Sequence, residues 1–357
     1  MNFIMKKILS SIFCMAFVLG LASCNKEAAV TAAEGDGAPI RLEVQVAGSG
    51  EAALTRVTGI TSNDENTEAK VNSLQVFVFN GNALDGYGSS NGKSAAVSCT
   101  SGLRDIYAVV NAPSLASVTS KSALLASVSN LAEEVSNFQM VGSKTETLQF
   151  DGSVTVNVDR LAARVVVRGI KNALENAAQA ADFKLLAVYL TNVAGDVDFG
   201  KSSTYSVSSW YNQRGYQSAN NLGSFSYDAI AAANQAIAAG ATHSDAHFFY
   251  SMPNGNAAAT GGPFTPRAAR LVIKVQIAGT VYDYPIALPA LESNKSYEIN
   301  LVNITRVGNI DDGTEPDDVH PDDVDEEKPV VGFEQNFNVI VNDWSVVLVE
   351  GSGEITI

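Results

Sequence analysis

Cysteine is scarce in this chain. Three occur in 357 residues, at positions 14, 24 and 99. Cys14 lies inside an N-terminal apolar block and Cys24 directly follows it, so the body of the chain keeps Cys99 alone, and a disulfide framework is excluded. Stability must come from packing, for which a hydrophobic content of 46% is sufficient. Basic residues are also few. With 23 Lys and Arg against 38 Asp and Glu, the formal net charge is -15. That balance excludes a phosphate-binding face for nucleic acid, which needs clustered cations. Much of the acidity is local, since Asp311 to Glu327 holds ten of the 38 acidic residues. Two tryptophans are too few for an extended aromatic platform, and no apolar run reaches the roughly 20 residues of a bilayer-spanning helix.

The N-terminus has the pattern of a signal peptide. Lys6 and Lys7 precede a mostly apolar block, Ile8 to Leu21, which is too short to span a membrane. It ends in Leu21-Ala22-Ser23-Cys24, the pattern of a lipid-attachment site. Small residues there let a peptidase approach, and the Cys24 thiol receives the lipid. We therefore expect residues 1–23 to be removed and Cys24 to be lipidated, giving an exported protein anchored at the outer membrane. Asn25 to Ala38, rich in Ala and Gly, reads as a flexible tether.

Beyond the tether, period-two alternation dominates. In Arg41 to Val46, the side chains of Leu42, Val44 and Val46 alternate with polar residues. Further strands are expected at Val71–Phe79, Arg104–Val110 and Val154–Val158. Asp159–Arg168 is another and carries three arginines. The remaining expected strands are Phe183–Asn192, His247–Asn254 and Lys295–Ile304, with a hairpin at Ala269–Ile277 and Thr280–Ile286 around Ala278-Gly279. Helical spacing is present at Ser122–Val135, and the alanine-rich Tyr227–Ala239 reads as a short helix. Ser202–Leu222 reads as a long loop. Many short strands between turn signals, with few helices, predict an all-β fold of two β-sandwiches in tandem. The expected segments are a leader, 24–56; a first domain, 57–158; a second, 159–310; an acidic linker, 311–329, whose like charges must be solvated; and an apolar tail, 330–357. In the tail Phe337, Val339 and Val341 share one face. The phase then flips, and Trp344, Val346 and Leu348 share the next.

Several chemical motifs are present only in part. Gly88-Ser89-Ser90-Asn91-Gly92 has the spacing of a nucleophile elbow but no helix after it. Gly92-Lys93-Ser94 has Tyr87 where a phosphate loop needs glycine. His243 and His247 lack further metal ligands beyond Asp245. Asp317, Asp318, Asp322, Asp323 and Asp325 lack the glycine-bearing calcium-loop spacing. No nucleophile, base and orienter assemble, so no enzyme, cofactor or metal site is expected.

Taken together, the lipid-attachment site at Cys24, Leu54-Thr55-Arg56, Arg160-Leu161-Ala162-Ala163-Arg164-Val165, Phe249-Tyr250-Ser251-Met252-Pro253-Asn254, Tyr297-Glu298-Ile299-Asn300 and Val339-Ile340-Val341-Asn342-Asp343-Trp344 resemble the FimA/Mfa-type fimbrillins of Bacteroidetes, across nearly the whole chain. The resemblance implies two transthyretin-like sandwiches. It also implies cleavage between Arg56 and Val57 by a trypsin-like or gingipain-like protease, which removes the strand of Leu42, Val44 and Val46. A donor strand from the tail of another copy or a related subunit, within Phe333–Ile357, would then fill the groove and build a head-to-tail fimbrium for adhesion and biofilm formation. Physics favours such a scheme, because a sheet missing a strand is a template for another chain, and a contact between two different surfaces propagates rather than closes. Two other readings compete: a glycan-binding surface lipoprotein, needing an aromatic cluster around Tyr205, Trp210, Tyr211 and Tyr216, and a fimbrial anchor or tip subunit.

Overall fold

The computed structural model describes residues 37–48, 68, 70–134, 137–212, 227–229, 235–256, 267–310, 340–343 and 354–356. The fold is all-β with short helices, as the alternation predicts. Its first eight strands are β1 Pro39–Gly48, β2 Leu74–Asn80, β3 Ala83–Ser90, β4 Ser94–Thr100, β5 Gly102–Val110, β6 Val128–Asn130, β7 Met140–Leu148 and β8 Gly152–Arg160. Seven of them form one sheet in the order β3-β2-β5-β7-β8-β1-β4. The sheet curls until β3 lies against β4. A Cβ on Gly88 would sit 2.3 Å from the Ala96 carbonyl oxygen, so only glycine permits that approach.

One face of this sheet is covered throughout, while the outward residues of β1, β4 and β8 are largely exposed; β2 is covered on both faces, which is why its sequence is apolar at nearly every position. Leu74, Val76 and Val78 join Val97, Ile106, Val154 and Val156 in one core. Phe77 and Phe79 point the other way and join a second core built mostly from residues 161–304. Phe138 and Tyr250, 4.9 Å between ring centroids, bridge the two parts of the chain on that side.

In the second part, the strand Ala163–Val167 lies between His247–Ser251 and Lys295–Ile299. Arg270–Ile277 lies between Phe183–Thr191 and Thr280–Ala287. The hairpin expected at Ala278-Gly279 is present: Ile277 faces Thr280, and Ala278 and Gly279 have φ of 49° and 85°, as a two-residue primed turn requires.

Two helices expected from the sequence are not there as read. Of Ser122–Val135, only Lys121–Leu125 is α-helical, with the Ser120 hydroxyl accepting from the Ala123 amide at 3.2 Å. β6 comes next and pairs with Asp196–Asp198, and Leu131–Glu134 forms a 3-10 turn. Ser127, Ser129 and Asn130 are poor helix formers, and Leu124 and Leu131 are buried without helical continuity between them. The alanine-rich stretch forms strands at Tyr227–Ala229 and Gln235–Ala236, both paired with Phe183–Thr191. Alanine's helix preference is a weak prior, and the offer of a sheet edge overrides it.

Candidate functional site

The site is the slot that β1 occupies. β1 runs antiparallel to β4, from Pro39 opposite Thr100 to Gln45 opposite Ser94. It runs parallel to β8, from Leu42 opposite Gly152 to Gly48 opposite Val158. It is thus an interior strand, bonded on both edges, although it lies in the segment expected to be a leader. Leu42, Val44 and Val46 all point into the core, as predicted, with exposures of 1%, 0% and 6%. Ile40 joins them and was missed; it extends the same alternation one step toward the N-terminus. Four such side chains are worth about 6–12 kcal/mol of burial before entropy. Among the described residues β4 stands at the end of the sheet, and its ladder runs to β1 alone.

Polar groups fix the N-terminal end of β1. The Gly37 amide donates to the Ser101 carbonyl at 3.1 Å, and the Ser101 amide donates to the Ala38 carbonyl at 2.7 Å. The Ala38 amide donates to the Ser101 hydroxyl at 2.9 Å. β8 begins opposite Leu42, and the Asp151 carboxylate continues its edge by accepting from the Arg41 amide at 2.6 Å. Ser101 rests on Arg104, whose guanidinium is buried and donates to the Ser101 carbonyl and, at 2.9 Å, to Asp85. Burial works against the Asp85 carboxylate, but hydrogen bonds from the Thr100 amide, Arg104 and the Thr100 hydroxyl outweigh it and hold its pKa below the usual range. Cys99 sits opposite Ile40 under this end of the strand. Burial, with Asp85 nearby, pushes its thiol up to about 11.

Arg41 has an exposed side chain, but its amide is held by Asp151 and it lies within the strand, opposite Ser98 of β4. A protease that needs an extended, free segment cannot use it while β1 is in place. Cys24, Arg56 and Val57 lie outside the described residues.

Glu68, just past the leader, is 2% exposed. Its carboxylate accepts from Arg164 Nη1 at 2.9 Å and from the Tyr250 hydroxyl, and its carbonyl accepts from Arg160 Nε at 2.8 Å. Arg164 also donates to the Ser296 hydroxyl at 3.0 Å, and Arg168 Nη2 meets Glu298 at 2.6 Å. The strand expected at Asp159–Arg168 is in fact split: Arg160 ends β8, Arg164 lies in Ala163–Val167 and Arg168 follows it, and the three arginines share one largely buried network with Glu68 and Glu298. Burial lowers the Arg160 guanidinium to about 10, with Glu68 opposing the shift. Glu68 itself had no sequence signal, because its partners lie more than 90 residues away.

The tail supplies two short strands to the second part of the chain. Ile340–Asp343 runs antiparallel to Lys295–Ile299, with Val341 opposite Tyr297. Glu354–Thr356 runs parallel to Leu301–Ile304. Each is the last strand of its sheet, bonded on one edge, in contrast to β1. Phe337, Val339, Trp344, Val346 and Leu348 lie outside the described residues.

The features weighed for other chemistry fall elsewhere. His243 and His247 do meet, with Nε2 atoms 3.0 Å apart, in a buried hydrogen-bonded pair. Among the described residues no group of three or more potential metal ligands forms. Gly88, Ser89 and Ser90 end β3, and a turn leads into β4. Trp210 is half-buried with Arg267 stacked 5.1 Å over its ring, the Tyr205 hydroxyl donates to Asp196 at 3.0 Å, and Tyr211 packs against the core. Each of these three rings is half-buried and engaged by the chain's own groups, and Tyr216 lies outside the described residues.

Residues 38–161, which hold β1 to β8, match the family model described as major fimbrial subunit protein (FimA). The fimbrillin resemblance stands. No curated protein matches the chain. Among solved structures, this fimbrillin-like chain is similar to a candidate cell adhesion protein from Bacteroides eggerthii (19% identity, 87% of this chain and 97% of the other, TM-score 0.56). It is also similar to one from Parabacteroides distasonis (15% identity, 75% and 89%, TM-score 0.55). A third is a fimbrilin (FimA) from Porphyromonas gingivalis (18% identity, 76% and 91%, TM-score 0.51). At these identities the likeness carries the fold.

Proposed function

We propose that the chain is a structural subunit of a cell-surface fimbrium, in the stalk, that polymerises by protease-triggered strand exchange and supports adhesion and biofilm formation. The precursor is lipidated at Cys24 and held at the outer membrane. A trypsin-like protease cuts between Arg56 and Val57. β1, no longer covalently continuous with the body, leaves its slot, and a tail strand of another copy or related subunit enters. The family match supports the fimbrial assignment. The observation that carries the exchange is topological: a strand of the leader sits in the interior of a sheet, bonded on both edges, while the tail strands sit at sheet ends. Removing β1 opens a gap of about two strand spacings, roughly 9–10 Å, between two unpaired edges over an apolar floor. Because β4 and β8 run in opposite directions, any entering strand pairs parallel with one and antiparallel with the other. The division into domains at 57–158 and 159–310 belongs to the same proposal. No chemistry beyond binding is assigned.

Limited trypsin treatment of the precursor tests it, with intact mass and electron microscopy as readouts and a truncation ending at Gly332 as control. A cut after Arg56 that leads to SDS-resistant ladders or filaments, absent from the truncation, supports the proposal. A clean cut that yields only monomers contradicts the stalk role and leaves an anchor, tip or glycan-binding lipoprotein.

A further inference from the structure

We propose that Ser101 and Asp151, braced by the Arg104–Asp85 pair, form a clasp that retains β1 in its slot after the chain is cut and sets the rate at which the slot empties. The inference rests on the strand-exchange reading and adds its regulation.

The two ends of β1 are held differently. At the cut-proximal end, pairing with β4 stops at Gln45 opposite Ser94, the Val46 amide donates to the Lys93 carbonyl at 2.9 Å, and only the β8 ladder continues, to Gly48 opposite Val158. At the far end, Ser101 engages the chain three times, through its amide, carbonyl and hydroxyl, and Asp151 engages it a fourth time through the Arg41 amide. These contacts reach Gly37 and Ala38, beyond the paired strand itself. Ser101 is 2% exposed and does not yield, because the buried Arg104 holds its carbonyl and Asp85 holds Arg104. A bond donated to a carboxylate is stronger than one between neutral groups, and hydrogen bonds that must break together at one end act as a single barrier.

Cutting at Arg56 unties the chain beyond Gly48, an end that only backbone pairing with β8 still holds, and leaves the clasp intact. The leader therefore peels from Gly48 toward Pro39 and departs when the clasp opens. The same polar groups are then bare. An entering strand from a second copy meets them with a backbone amide and carbonyl, which fixes how far it slides into the slot.

The test uses the full precursor cut with trypsin. Release of the leader is tracked by mass spectrometry. Opening of the slot is tracked by iodoacetamide labelling of Cys99, mapped by peptide mass, since Cys99 lies opposite Ile40. Asp151→Ala combined with Ser101→Ala is expected to speed both events about tenfold or more, taking each lost bond at its usual net worth. Asp151→Asn, which keeps an acceptor oxygen, restores most of the retention. Far-ultraviolet circular dichroism of each uncut variant controls for folding. Release at the same rate in wild type and the double variant overturns the clasp while leaving strand exchange standing. A cut wild-type chain that never releases β1 or exposes Cys99, even with tail strands present, overturns both.

Discussion

At the residue scale, buried charge gives the sharpest consequences. Glu134 is fully buried beside the Ser129 hydroxyl, which donates to it at 2.7 Å, and burial pushes its carboxyl up to about 8. Unfolded, it titrates near 4.5. Between those values the folded chain holds a proton that the unfolded chain has released, so stability falls as pH rises and levels off above about 8. Glu134→Gln is expected to flatten that slope in urea unfolding at a series of pH values; an unchanged slope would refute the assignment. Glu68→Ala leaves the buried guanidiniums of Arg160 and Arg164 short of their anion. It is expected to cost about 3–5 kcal/mol in the same assay, with Glu68→Gln costing less. The sequence announced the arginines of this network, because three of them at four-residue spacing in an apolar stretch are unusual, though not that the stretch divides into two strands. It was silent about Glu68 and Glu134, whose burial is decided by parts of the chain far away in sequence.

At the element scale, β1 and β2 show what alternation reveals and what it hides. Leu42, Val44 and Val46 were legible as a one-sided strand because period two needs only local sequence. That the strand is interior rather than an edge was not legible, since strand order is set by pairing across more than 100 residues. β2 was legible as a buried run, but its division between two cores was not. The helix expected at Tyr227–Ala239, where Tyr227–Ala229 and Gln235–Ala236 are strands, came from composition without the competing sheet edge, and the overlong one at Ser122–Val135 from spacing that two separate buried leucines happened to satisfy. Leu42→Ala is expected to cost the precursor about 2–5 kcal/mol, typical of a truncated core aliphatic. Under the proposed exchange it costs the assembled polymer nothing, because β1 has gone. Thermal unfolding of precursor and polymer side by side checks the pair, and equal losses in both would mean that β1 stays.

At the scale of the whole molecule, charge and topology oppose each other. Copies carrying a formal net charge of -15 repel, so subunit association should quicken as salt rises toward physiological strength, where exposed charges beyond about 8 Å are screened. Light scattering after the cut, across a salt series, measures this. Topology supplies the driving force, because an emptied slot leaves β4 with no ladder partner among the described residues. Hydrogen exchange at the β4 amides therefore reads the state of the slot directly, in precursor, cut monomer and polymer. The account predicts protection in the precursor, loss of protection in cut monomers freed of the leader, and protection regained in the polymer but not in the truncation ending at Gly332. Protection that persists through cutting and into filaments would show that β1 never leaves, and would contradict strand exchange.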